Sequence, residues 1–228
     1  MSGNSPALAA IGELLREPNT AKPILAAARR RLSADVEAYG LRRDLEAPHT
    51  HPDAKIAITV RPLESKDVPA VLGATAELTP DEKWDRSMRR RLLEANIGLP
   101  HVAVTAEDEA CYTQWIFTSK DNDDIQRHFE GIFPHLDDDM ALLEGAFTPV
   151  AWRGKGVMSA AMSRVAERAG TLGPRYVITF VGLDNPASLK GCKKAGFAPY
   201  LLRTQRFRLG RQQVTFAAVE ENAPGMPV

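Results

Sequence analysis

From residue 6 onward apolar positions recur every three or four residues, and this spacing predicts helices over 6–17 and 21–39, the second stopped by Gly40. The stretch APHTHPDAK breaks the rhythm and reads as a linker. Beyond Ile56 the period changes. IAITVRPL alternates as a strand does, SKDVPAVLGATAEL opens with a capping pattern before an apolar helix, and PDEKWDRSMRRRLLEAN predicts another helix. HVAVTA and CYTQWIFTS predict strands turning through the acidic EDE. Residues 120–139 form a longer connection with helical spacing at Ile125, Phe129 and Ile132. MALLEGAF and YVITFV carry apolar residues on both parities, as expected of strands covered on both sheet faces. Between them Met158, Ala161, Met162, Val165 and Ala169 keep the helical interval up to Gly170. Strand, helix and strand with a short return imply a right-handed parallel crossover. LDNPASLKGCKKAGF predicts a short helix with Asn185 as its cap, Pro186 at its first position and Gly196 as its stop. LLRTQRFRL and QQVTFAAV around LGR predict a closing hairpin, so the fold class is α/β of the α+β type.

Composition narrows the classes. With 44% hydrophobic and 25% charged residues the 228-residue chain is an ordinary soluble globular protein, long enough for one large domain and an extension. Lys+Arg and Asp+Glu are both 29, so there is no global positive field and no nucleic-acid partner is expected. The arginine runs 29–31 and 89–91 read as solvated helix faces. Cys111 and Cys192 are too few for a disulfide framework and lack ligand spacing; His49 and His51 have no further ligand nearby, so no metal is expected. A reducing, cytoplasmic setting follows. Glu13, Arg16 and Glu17 interrupt the first thirty residues, so neither a signal segment nor a membrane span can be drawn.

The junction TPVAWRGKGVMSAAM, residues 148–162, is chemically richer than a connection requires. Glycines before a helix leave backbone N–H groups open at the positive end of the helix dipole, and Gly154 and Gly156 let a ligand approach the main chain. Arg153 and Lys155 add positive charge, so the four residues suit a pyrophosphate. A Walker A loop does not fit: Pro149 stands where its first glycine belongs, and Gly156 follows Lys155. A dinucleotide fingerprint would need a third glycine at Ser159.

The segment from Ile56 to about Glu220 resembles the GNAT superfamily of acyl-CoA-dependent N-acetyltransferases. Arg153-Gly154-Lys155-Gly156-Val157-Met158 is similar to its hallmark Gln/Arg-x-x-Gly-x-Gly/Ala at the start of a helix after a central strand, and NPASLKGCKKAGF to its second signature. The resemblance implies a GNAT fold: a mixed, mostly antiparallel sheet with one parallel splayed strand pair and flanking helices. It divides the chain into an N-terminal helical extension and linker (1–53), an acyltransferase domain (54–222) and a tail (223–228). It also implies that backbone amides of Arg153, Gly154, Lys155, Gly156, Val157 and Met158 hold the CoA pyrophosphate. Ala146, Phe147 and Thr148 would pair with the pantetheine like an added strand, and Asn185 and Ser188 would touch the CoA arm, although Asn185 also suits a plain cap.

The implied reaction is acetyl or short acyl transfer from acyl-CoA to a primary amine by direct attack in a ternary complex. A non-catalytic acyl-CoA-binding module is the alternative. Two residues depart from, or add to, the pattern. Cys192 stands where many relatives place an acidic tyrosine, and it reads either as a proton donor or as a small core residue. Glu144, the single carboxylate of MALLEGAF, reads as the general base with its proton affinity raised by burial, or as a structural hydrogen-bonding residue. Met158 replaces a small residue and either narrows the pocket or turns into the core. The acidic connection 120–139 is expected to face the acceptor. The reading leaves a homodimer open.

Overall fold

The two runs with apolar residues on both parities become β5 (Met140–Phe147) and β6 (Tyr176–Gly182). Ala141, Leu142, Leu143, Val177 and Ile178 are fully buried there, which requires cover on each face. The computed structural model describes residues 33–73, 80–208 and 211–219, and it supplies that cover as two cores. One packs Leu143 and Val177 against Ala161, Val165 and Ala169 of α4 (Val157–Gly170) and Leu189 of α5 (Pro186–Lys194). The other packs Leu142 and Ile178 against Leu92 of α2 (Pro80–Ala95), Ile125 of α3 (Asn122–His128), Phe129 and Phe133. A short α1 (Val68–Leu72) adds Val71 to this second core and ends at Gly73.

The remaining strands are β1 (Ser33–Asp44), β2 (Thr59–Pro62), β3 (Leu99–Val104), β4 (Ala110–Thr118), β7 (Ala198–Arg208) and β8 (Arg211–Ala218). Their order in the sheet is β2-β3-β4-β5-β6-β1-β7-β8. β2–β3, β3–β4, β4–β5 and β1–β6 are antiparallel, and β5–β6 is parallel, as the crossover through α4 requires. The expected mixed sheet with one parallel pair is therefore present. The described residues group into two compact units, one within 37–203 together with 216–219 and one made of 33–36 with 204–208 and 211–215. Within the smaller unit Asp35 pairs with Arg206 and Arg208 at 3.8 and 2.9 Å. Among the described residues no helix is long and apolar enough to cross a membrane.

One sequence expectation is overturned here. The helix expected over 21–39 is a strand from Ser33 onward, while residues 6–32 lie outside the described ones. Seven residues of β1, Ala38 to Asp44, pair with β6, and this tertiary pairing overrides the helical spacing. Gly40 stops nothing. A Cβ there would meet the Phe180 ring at 3.0 Å and the Leu201 Cβ at 3.1 Å, so the glycine permits close packing in mid-strand. The linker that follows is fastened to α4. Buried Arg43 donates to the Ser163 carbonyl (3.0 Å), the Ser163 hydroxyl (3.1 Å) and the Ala195 carbonyl (3.3 Å), and it also pairs with Glu167. His51 Nδ1 meets Ser163 Oγ at 2.7 Å, and the His49 ring packs where a Cβ on Gly196 would fall. His51 thus holds the linker against α4, and His49 packs just past the end of α5.

Candidate functional site

The parallel pairing of β5 with β6 covers only Met140–Leu142 and Tyr176–Ile178, although both strands run on to Phe147 and Gly182. Beyond Leu142 the strands splay. Past that point β6 does not pair with the β5 edge that faces the gap. A bulge marks the start of the gap. Trp115 sits opposite Glu144 while Thr113 sits opposite Phe147, so β5 carries an extra residue, and Gly145 takes φ +70°. A Cβ on Gly145 would meet Trp115 Cε3 at 2.9 Å. Only glycine serves at this turn of the backbone.

At the far end of β5 the chain enters the glycine junction. Gly154 and Gly156 have φ +74° and +76°, and Gly156 is the left-handed N-cap of α4 with no side chain capping the helix. Among the described residues nothing lies within 4 Å of a Cβ placed on Gly154. The space is thus open at Gly154, three residues before a 14-residue helix whose start has no side-chain cap. Arg153 donates to the Thr148 carbonyl at 3.1 Å and lies 3.7 Å from Glu82, while the Lys155 ammonium sits 4.4 Å over the Trp152 ring. On the other side Lys55 N–H donates to the Lys155 carbonyl at 2.8 Å, and the Asp53 carbonyl lies 3.2 Å from a Cβ on Gly156. The linker braces the loop from behind. Met158 resolves its two readings in favour of packing: a Cβ on Gly191 of α5 would meet its sulfur at 2.9 Å. Asn185 accepts the Ser188 N–H at 3.0 Å and so caps α5. A hollow lined by Lys66, Asp67, Pro149 and Trp152 opens beside the junction.

Glu144 stands at the bulge, only partly exposed. Desolvation raises its pKa above 4.5, against the opposing pull of the Gly145 N–H and Arg203, while Asp85 adds to the rise. Cys192 is fully buried, its sulfur 3.6 Å from that of Met162, and burial pushes its thiol up to about 12. The structure thus brings Ala146, Phe147, Thr148 and Arg153–Met158 to one end of the gap and Glu144 to its start, and it sets Cys192 into the core beneath. Of the arginine run, Arg89 is not a solvated face residue: it is buried, donates to the Val71 carbonyl and lies 3.7 Å over the Phe147 ring.

A family model, described as an acetyltransferase (GNAT) domain, matches residues 57–198. The chain belongs to the GNAT acetyltransferase family. No curated protein matches the chain. Among solved structures it is similar to a GNAT-family acetyltransferase from Colwellia psychrerythraea, with 15% identity, a TM-score of 0.51 and coverage of 83% of this chain and 62% of that one. A GCN5-related N-acetyltransferase from Sphaerobacter thermophilus matches at 15% identity and TM-score 0.47, over 85% and 59% of the two chains. A GNAT-family N-acetyltransferase from Escherichia coli, solved in complex with CoA, matches at 15% and 0.38, over 58% and 66%. The chain thus spans about three fifths of the length of the first two.

Sequence reasoning missed several neighbours of the GNAT gap. Tyr112 of β4 is buried and donates to Gln114 Oε1 at 2.8 Å, and Gln114 Nε2 has no partner among the described residues. Trp115 and Arg203 reach the opposite face. An isolated glycine inside an apolar strand was a legible signal for the bulge at Gly145. Nothing local marks the others, because each is an ordinary strand residue until its partners from distant segments are known.

Proposed function

We propose that this GNAT protein transfers an acetyl group from acetyl-CoA to a primary amine by direct attack in a ternary complex. The observation that carries the reading is the open β5 edge running from the bulge at Gly145 into an uncapped, glycine-flanked helix start. An extended pantetheine arm suits the edge at Ala146, Phe147 and Thr148. Its pyrophosphate suits the amides of Arg153–Met158, with Asn185 and Ser188 beside the arm. The thioester would then lie near the bulge. The acyltransferase domain expected over 54–222 also takes in the part of β1 that pairs with β6.

An alkylammonium, with a pKa of about 10.4, attacks only after losing a proton, and Glu144 is the carboxylate at the bulge that can receive it. The nitrogen then bonds to the thioester carbon and gives up its second proton to solvent, a β5 main-chain N–H stabilises the oxyanion, and the C–S bond breaks to release CoA thiolate. A thiol pushed up to about 12 by burial is a poor proton donor to a leaving alkyl thiolate. Buried Cys192 is accordingly read as packing, and solvent protonates the thiolate. The rival, a non-catalytic acyl-CoA-binding module, draws on the same absence of an acid. Calorimetric binding of acetyl-CoA together with CoA release over a panel of amines separates them: binding without release on any amine selects the module.

A further inference from the structure

The face of the sheet that carries Glu144 also holds polar groups that the fold does not use. Trp115 stands opposite Glu144 in the register, and Phe180 lies two residues past Ile178, the partner of Leu142, so these side chains share one face. Trp115 is fully buried, yet its indole N–H has no acceptor among the described residues. Arg203 of β7 is 8% exposed. Its guanidinium lies 5.2 Å over Phe180 and 5.7 Å over Phe133, it donates to the Ile132 carbonyl at 3.2 Å, and its Nε has no partner among the described residues. Tyr200, packed on the same core, has a buried hydroxyl that also lacks a partner among the described residues. Glu144 and Arg203 are near enough to influence each other's charge, but no ion pair joins them among the described residues.

A buried guanidinium with one backbone acceptor is costly for a fold alone, since five donors are left with little to bond. The same group is suited to a ligand carboxylate, which its planar fork can bind through two parallel hydrogen bonds. Glu144 supplies a complementary acceptor, and Trp115, Phe133 and Phe180 supply apolar walls. Resting on the acyltransferase reading, we propose that the acceptor is an amine that also bears a carboxylate and an apolar side chain, with Arg203 receiving the carboxylate and Glu144 the ammonium proton. Arg203 is then the residue that sets specificity.

Matched amines test this. L-methionine, L-methioninamide and 3-(methylthio)propylamine, with the corresponding phenylalanine series, are compared for kcat/KM and for direct calorimetric binding to the full chain. The expected result is at least a tenfold preference for the carboxylate member, carried by KM. Arg203→Met should abolish the preference and Arg203→Lys should restore part of it. Equal use of the three members, or a preference untouched in Arg203→Met, overturns the proposal. If Arg203→Met does not fold, Arg203→Lys and Tyr200→Phe, read against the wild-type series, decide instead. Acetyl-CoA binding is measured separately: its absence removes the acyltransferase reading, whereas the direct binding of each amine series judges Arg203 on its own.

Discussion

The two ends of the β5–β6 gap are built differently. The junction end is six contiguous residues, Arg153 to Met158, with left-handed glycines at 154 and 156 and open space at Gly154. The Glu144 end is assembled from β4, β5, β6, β7 and the connection after α3, and it offers buried side chains. The contrast teaches where stability and binding separate. At the junction a substitution can block a ligand without disturbing a core. Around Glu144 the same groups would serve the ligand and the packing, so each change there needs a stability measurement beside it.

The sharpest way to break that comparison is Gly154→Asp. Aspartate tolerates the left-handed backbone better than most residues and meets no neighbour, so the fold should survive. The new carboxylate would oppose a pyrophosphate, and acetyl-CoA affinity should fall on the order of 100-fold by calorimetry. Gly156→Glu should lose as much affinity and also loosen the Asp53 brace. Unchanged affinity in a folded Gly154→Asp protein would end the assignment of the junction.

Glu144→Gln should lower kcat by roughly 100-fold while leaving acetyl-CoA binding within twofold. The wild-type rate should rise with pH through a carboxyl pKa displaced upward from 4.5 by burial, and that limb should vanish in the variant. Retention of the limb in Glu144→Gln would assign it to another group. Cys192→Ala should cost about 1–2 kcal/mol of stability through the cavity it leaves, with turnover little changed. The reverse pattern, normal melting and lost turnover, would restore the thiol as a proton donor.

The smallest expected effect concerns the linker behind the junction. Desolvation, with Arg43 and His51 nearby, holds the His49 pKa below 6.5. The unfolded chain therefore takes up a proton there first, and the stability His49 contributes is present above pH 6.5 and lost as pH falls. His101 and His128, lowered by their own burial, act in the same direction. Glu144, raised by burial, acts oppositely over the range above 4.5. The informative quantity is the difference between wild type and His49→Gln: the wild type should lose more melting temperature between pH 7 and pH 5. Parallel curves would assign the acid sensitivity elsewhere.

The junction was legible because its chemistry is local. A helix start needs only its own amides, and glycine at 154 and 156 states in sequence that no side chain will cover them. β5, β6 and the capped α5 were equally legible, since burial on both faces and an Asn-Pro cap leave short-range patterns. The strand at 33–44 was not, because Ala38, Gly40 and Leu41 fit a helix as well as a strand until β6 offers a partner edge. Arg89 likewise looked like one of three solvated arginines, and only the position of Phe147 makes it a buried cation.

What the sequence by itself determined is the period of each central element, the phosphate-suited junction and the family resemblance, all carried by residues close together along the chain. The tertiary structure alone decided that β5 and β6 part after Leu142, that Met158 and Cys192 pack inward, and that Glu144, Trp115 and Arg203 share one face. The physical reason is distance along the chain. Pairing register, burial of a charge and the meeting of side chains from residues 115, 144 and 203 depend on contacts that no local pattern encodes.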